Sequence, residues 1–124
     1  SSAASDVYKR QVYTDSARLS QVINNLVNNA IKFTSEGNIR IGYRPAASGY
    51  VNIFVEDTGT GMSREVLEHI FDRFYKGDSF KQGTGLGLSI CKTIVKRFEG
   101  KIEVTSTPGK GTCFTITLPL KVEE

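Results

Sequence analysis

The chain has 124 residues, 39% hydrophobic and 23% charged, with a formal net charge of +3. That suits one compact domain with a core that needs no disulfide or structural metal, and it leaves no room for two domains. The positive charge is scattered, with no run of five basic residues and no aromatics interleaved among them, which argues against nucleic acid and for a phosphorylated small molecule.

Residues 1–10 begin with the small, polar run Ser1 to Ser5, which looks like a processing remnant. The whole segment is expected to be non-native or disordered and outside any site. Gln11 to Tyr13 alternates briefly like a strand, and Asp15 then suits a helix cap. From Asp15 to Phe33, the residues Leu19, Val22, Ile23, Leu26, Val27, Ala30 and Ile31 keep the rhythm of an amphipathic helix, which Gly37 stops. Two alternating segments follow, Asn38 to Tyr43 and Tyr50 to Glu56, with a turn containing Pro45 and Gly49 between them. The second sets Val51, Ile53 and Val55 on one face. Asp57 to Gly61 must be loop.

A short helix is expected from after Ser63 to near Ile70, then an irregular stretch from Phe71 to Gln82. A second long helix is expected from near Thr84 to Phe98, with Leu86, Ile90, Ile94 and Phe98 on one stripe and Gly100 as its stop. Strands at Lys101 to Ser106 and Thr112 to Leu118 close the chain around a Thr107 to Gly111 turn. The sum is an α/β sandwich of the α+β class. A mixed, mostly antiparallel sheet has one face covered by two long helices, because two amphipathic helices need a common apolar surface. The folded domain is expected over residues 11–120, with 121–124 a tail.

Cys91 and Cys113 lie in apolar-patterned segments with no second Cys or His at metal-ligand spacing, and read as buried core thiols in a reducing compartment. No stretch approaches the roughly 18 apolar residues of a membrane helix, and no signal peptide is visible. A cytoplasmic domain without membrane contact of its own is expected, in a parent that leaves room for an inner-membrane anchor.

Asn25, Asn29 and Lys32 fall within a narrow arc of the first helix, on its polar side and opposite the apolar stripe. Such a stripe is ordinarily a solvated face. Yet Asn is a poor helix former, and Asn24, Asn25, Asn28 and Asn29 crowd one helix. Accepting that cost points to a need for carboxamide oxygens, which are hard neutral ligands suited to Mg²⁺ beside substrate phosphates. Two glycine loops, Asp57-x-Gly59-x-Gly61 after a strand and Gly83-x-Gly85-x-Gly87 before a helix, suit close backbone approach to phosphates. Either alone reads equally well as an ordinary turn. Neither the dinucleotide fingerprint nor a Walker loop fits the spacing at Gly83 to Gly87 or at Gly109 to Thr112.

Taken in order, these segments resemble the boxes of histidine kinase catalytic domains. NLVNNAIKFT, from Asn25 to Thr34, looks like the asparagine box, and DTGTGM, from Asp57 to Met62, like the first glycine box. IFDRFYK, from Ile70 to Lys76, resembles the phenylalanine box, GTGLGL, from Gly83 to Leu88, the second glycine box, and Gly109 to Pro119 the closing strand. The resemblance covers Asp15 to Leu120. Each box alone is weak, but the ordered set is specific.

The resemblance implies a Bergerat-type fold that binds Mg²⁺ and ATP. By it, Asn29 holds the metal, Asn25 assists the metal–phosphate site and Lys32 contacts phosphate. Asp57 accepts from the adenine amine, beside Gly59 and Gly61. Tyr75 and Lys76 approach the γ-phosphate, and Gly83, Thr84, Gly85, Leu86, Gly87 and Leu88 shape the lid and phosphate contacts. Lys76 stands where the family often has Arg, Met62 replaces a usual Ile, and the lid from Gly77 to Gly83 is short. The implied activity is phosphoryl transfer from ATP to a histidine on a separate dimerisation domain, for relay to a response regulator. No phosphoacceptor motif is present, and His69 reads as an incidental helix residue.

Two other classes compete. A Bergerat-fold ATPase would activate water with a Glu in the asparagine box, where Asn25 stands here and cannot act as general base. A non-catalytic nucleotide-binding module would not need the intact Asn29, Asp57 and glycine boxes.

Overall fold

The computed structural model describes residues 2–75 and 87–120, with side chains of the first helix from residue 16 onward. Helix α1 spans Ser2–Phe33, β1 Ile39–Pro45, β2 Tyr50–Asp57, α2 Arg64–His69, α3 Gly87–Arg97, β3 Lys101–Thr107 and β4 Gly111–Pro119. The strand-like reading of Gln11 to Tyr13 is overturned, because those residues lie inside α1 and Asp15 is an interior position rather than its cap. A three-residue alternation cannot compete with extension of a helix already nucleated downstream, and residues 2–33 contain neither Gly nor Pro to interrupt it. At α2 the local signal is sufficient: Ser63 caps the helix, its side chain accepting from Val66 N–H.

The four strands form one sheet in the order β1-β2-β4-β3, and every pair is antiparallel. One face carries Val55, Phe114, Ile116 and the half-buried Ile53, Ile102 and Val104 into the core. Val22, Leu26 and Ala30 of α1 meet Cys91, Ile94 and Val95 of α3 above it, so both helices share this face. The expected stripe on the second helix needs correction. Ile90 is 38% exposed, and the buried set is Cys91, Ile94 and Val95. Alternatives one residue apart sit only about 100° apart on a helix, so position against α1 decides between them. Leu86 lies outside the described residues.

Among the described residues no helix covers the other sheet face. Phe54 is nevertheless buried there, beneath the guanidiniums of Arg44 and Arg40, 4.6 and 5.4 Å from the ring centroid. Arg40 also pairs with Glu56 at 3.2 Å. Gly42, across the strand pair, leaves room for the ring: a Cβ there would stand 2.6 Å from Phe54 Cζ. Cys113 lies on this open face and is half-buried, so it is not the core thiol its pattern suggested. At the free edge, Ile41 and Tyr43 are 52% and 79% exposed.

Two positive-φ glycines in the β3–β4 hairpin give a stability test. Gly109 has φ 78° with open space where a Cβ would stand, whereas Gly111 has φ 137° and its Cβ would run into the Asp57 carbonyl. Gly109→Ala should cost about 1 kcal/mol, and Gly111→Ala about 3 kcal/mol or more. Urea unfolding of both variants checks the ordering.

Candidate functional site

The helix-facing row at one end of the sheet turns polar on three of its four strands. Register aligns Ile39, Asp57, Thr112 and Ser106 across the four strands. Asp57 is 5% exposed, and its Oδ1 accepts from Gly59 N–H at 2.8 Å. Among the described residues this is its only side-chain hydrogen bond, although a carboxylate can accept about four. The carboxylate thus keeps acceptor capacity that Gly59 does not use.

The loop after Asp57 is fastened on every side. Thr58 N–H donates to Asn38 O at 3.0 Å and Asn38 N–H to Thr58 Oγ1 at 2.8 Å. Thr60 N–H donates to Phe33 O at 3.1 Å, satisfying one of the carbonyls that the end of α1 leaves open. Gly109 N–H donates to Thr60 O at 2.7 Å, and Met62 N–H to Ser106 Oγ at 2.7 Å. Gly59 and Gly61 are required for this packing. A Cβ on Gly59 would meet the Phe33 carbonyl, and one on Gly61, at φ 70°, would meet that of Thr107.

The C-terminal half of α1 brings the asparagines to the same region. Their predicted position opposite the apolar stripe needs correction. Asn25 and Asn29 are half-buried beside the stripe, whereas Asn24 and Asn28 are the exposed pair. Asn25 Nδ2 lies 3.4 Å from Gly87 O, tying the start of α3 to α1. Asn29 makes no side-chain hydrogen bond among the described residues, so its carboxamide oxygen is open to a ligand. Lys32 is exposed in the last turn of α1. The donor set is one neutral oxygen without clustered carboxylates, since no metal-binding group of His, Cys, Asp and Glu occurs among the described residues. Such a set fits Mg²⁺, which keeps waters and shares substrate phosphates, better than a cation needing an all-protein cage.

Asp57 is thus joined to Gly59, and Asn25 separately to Gly87, while Gly59 and Gly61 lie against the Phe33 and Thr107 carbonyls. Leu88 packs against the core at the start of α3. Tyr75 ends the turn after α2, with its ring 5.3 Å from that of His69. Lys76, Gly83, Thr84, Gly85 and Leu86 lie outside the described residues. The sequence reading missed Thr112 and Ser106. Thr112 is buried beside Asp57, with its Oγ1 2.9 Å from Ser106 Oγ, which donates to Gly111 O at 2.9 Å. The only available signal was a Thr at the first inward position of the last strand.

Below Asn25, the wholly buried Cys91 Sγ lies 3.7 Å from Val22 O. Burial pushes this thiol up to about 11, against an opposing hydrogen bond from Asn25.

Residues 14–122 match the family described as histidine kinase-, DNA gyrase B-, and HSP90-like ATPase. Sensor protein SrrB of Staphylococcus aureus (strain MRSA252) is 46% identical over 117 residues, 90% of this chain and 20% of that protein. The chain therefore spans a fifth of the length of the curated relatives it matches. Among solved structures, full-length ShkA in complex with AMPPNP aligns with a TM-score of 0.78 at 31% identity, over 86% of this chain and 22% of that one. The mycobacterial sensor histidine kinase MprB aligns at 0.77 and 26% identity, over 84% and 73%. The nucleotide-free catalytic domain of histidine kinase ThkA aligns at 0.71 and 35% identity, over 83% and 67%.

The two thiols should separate chemically. With a pKa of about 11, Cys91 is only about a thousandth ionised at pH 8, and no solvent reaches it. A chromogenic disulfide reagent should therefore titrate Cys113 first and reach Cys91 only in denaturant. Equal rates in the native protein would contradict this assignment.

Proposed function

The chain belongs to the family of histidine kinase-, DNA gyrase B-, and HSP90-like ATPases, and we propose that it is the ATP-binding catalytic domain of a sensor histidine kinase. In this reading it holds Mg·ATP and presents the γ-phosphate to a histidine on a separate dimerisation domain, for relay to a response regulator. The observation that carries the reading is the buried, under-satisfied Asp57 carboxylate, set in a glycine loop that is fastened to the asparagine-bearing helix. No helix among the described residues is long and apolar enough to cross a membrane.

The chemistry divides among the residues as follows. Asp57 accepts from the exocyclic amine of adenine, and Thr112 and Gly59 hold the wall around it. Asn29 offers its oxygen to Mg²⁺, which when bound neutralises phosphate charge. Asn25 supports the same region through the start of α3, and Lys32 contacts phosphate. Tyr75, Lys76 and the segment Gly83 to Leu88 complete the phosphate side. Phosphoryl transfer asks mainly for positioning and electrostatic stabilisation, and these groups supply both. None of them activates water, because a carboxamide at position 25 takes no proton. The nucleophile must therefore arrive from another domain. The catalytic unit is assigned to residues 11–120, and Ser2 to Arg10 extend α1 ahead of it.

Asp57 should make the site selective. Guanine would turn a carbonyl toward an acceptor-only carboxylate. Leaving such a buried acceptor unpaired costs about 1–3 kcal/mol, so calorimetry should give ATP at least a roughly tenfold advantage over GTP. Equal affinities would remove Asp57 from the adenine site.

The transfer reading is tested with labelled ATP, the domain alone and the parent's histidine-bearing domain added in trans. Label should appear on the added domain and not on this chain, with slow turnover when the domain is alone, since positioning a nucleophile accounts for about 7–11 kcal/mol of a barrier. Asn29→Ala should abolish transfer and weaken ATP binding only when Mg²⁺ is present. Rapid hydrolysis by the domain alone would instead favour an ATPase.

A further inference from the structure

His69 is the chain's only histidine, and it stands outside every group given a role above. Its Nδ1 lies 2.8 Å from Asp72 Oδ2. Its ring stacks on Tyr75, with centroids 5.3 Å apart and planes inclined by 34°. The backbone repeats the connection: Asp72 N–H donates to His69 O at 2.9 Å, and Tyr75 N–H to Asp72 O at 3.3 Å. Between them Phe74 has φ 64°, a left-handed conformation that a bulky L-residue holds only where its surroundings impose it. One imidazole thus spans the turn, bonded to its middle and stacked on its end.

Among the described residues, the charged groups that act on this ring are acidic: Asp72 on the turn, and Glu68 and Glu65 on α2. Two cations among the described residues lie over other rings. Lys92 of α3 lies over the Phe71 ring at 5.5 Å and Arg73 over Phe74 at 5.5 Å. Protonation therefore strengthens two contacts together. The bond to Asp72 becomes charge-assisted, and the ring facing the Tyr75 π-system becomes cationic. The Asp72 hydrogen bond, with the carboxylates beside it, raises the His69 pKa above 6.5. A raised pKa means the stabilisation is fully present below the ordinary histidine value and is lost as pH rises through the raised one.

We propose that His69 is a positioning residue for Tyr75, whose protonated ring fixes the turn over residues 70–75 and thereby strengthens the hold on ATP below neutral pH. The effect on ATP rests on the assignment of Tyr75 to the nucleotide site, whereas the positioning of Tyr75 does not.

NMR spectra of the whole chain, recorded without nucleotide from about pH 5.5 to 8.5, follow the His69 and Tyr75 rings directly. One shared midpoint above 6.5 is expected. In Asp72→Asn the His69 midpoint should fall, and the Tyr75 ring should no longer track it at the original pH. Separate midpoints in the wild type, or a Tyr75 ring indifferent to pH, would overturn the positioning role. In parallel, a fluorescent ATP analogue is titrated into wild type and His69→Gln, and the ratio of affinities at each pH cancels the nucleotide's own ionisation. The ratio should favour wild type about two- to fivefold at the acid end, the scale of an exposed charged contact, and approach unity at the alkaline end. A flat ratio overturns the coupling to ATP and leaves ATP binding standing. Absence of binding by both proteins overturns the nucleotide reading itself, while the NMR result still decides what His69 does to Tyr75.

Discussion

Around Asp57, three backbone segments approach one another closely enough that only glycine fits at each point of contact. Gly59 lies against the Phe33 carbonyl at the end of α1, Gly61 against Thr107 at the β3–β4 hairpin, and Gly111 against Asp57 itself. Because the segments touch, their polar groups can pair: Thr60 with Phe33, Gly109 with Thr60, Met62 with Ser106. The result is a carboxylate buried in a rigid frame with acceptor capacity to spare. Rigidity matters because a site built on well-supported backbone loses little when a ligand orders it.

The parts of this arrangement that are local in sequence were legible from it. The Ser63 cap, the two hairpins, the stop at Gly100 and the loop at Asp57 to Gly61 each depend on a few neighbouring residues, and each lies within a residue or two of its expected place. What depends on distant segments was not legible. Thr112 and Ser106 reach Asp57 through strand register, and Ser106 then catches Met62 from a segment 44 residues away. Whether Ile90 or Cys91 faces inward depends on where α1 lies. The asparagines show both sides: their crowding suggested a function, but only the fold separates half-buried Asn25 and Asn29, the former bonded to the start of α3, from exposed Asn24 and Asn28.

Family membership spans kinases and hydrolases. In this chain Asn25 turns its nitrogen toward Gly87 O, a contact that only a donor can make, since a carbonyl accepts. The side chain is thereby occupied in joining α1 to α3, and its chemistry is that of a strut rather than a base. Cys91 Sγ of α3 lies 3.7 Å from Val22 O of α1, a second link across the same two helices.

The arginine pair over Phe54 has a consequence for how this chain behaves at high concentration. β1 is an outer strand of the sheet, and Ile41 and Tyr43 leave it partly apolar, a combination that invites strands of other molecules to add on. Arg40 and Arg44 are held beside that edge by the aromatic ring they cover, and Pro45 at its end offers no N–H to a newcomer. An incoming strand would have to accommodate two fixed guanidiniums and forgo a ladder bond, so the residues that shelter one buried ring also guard the sheet against aggregation.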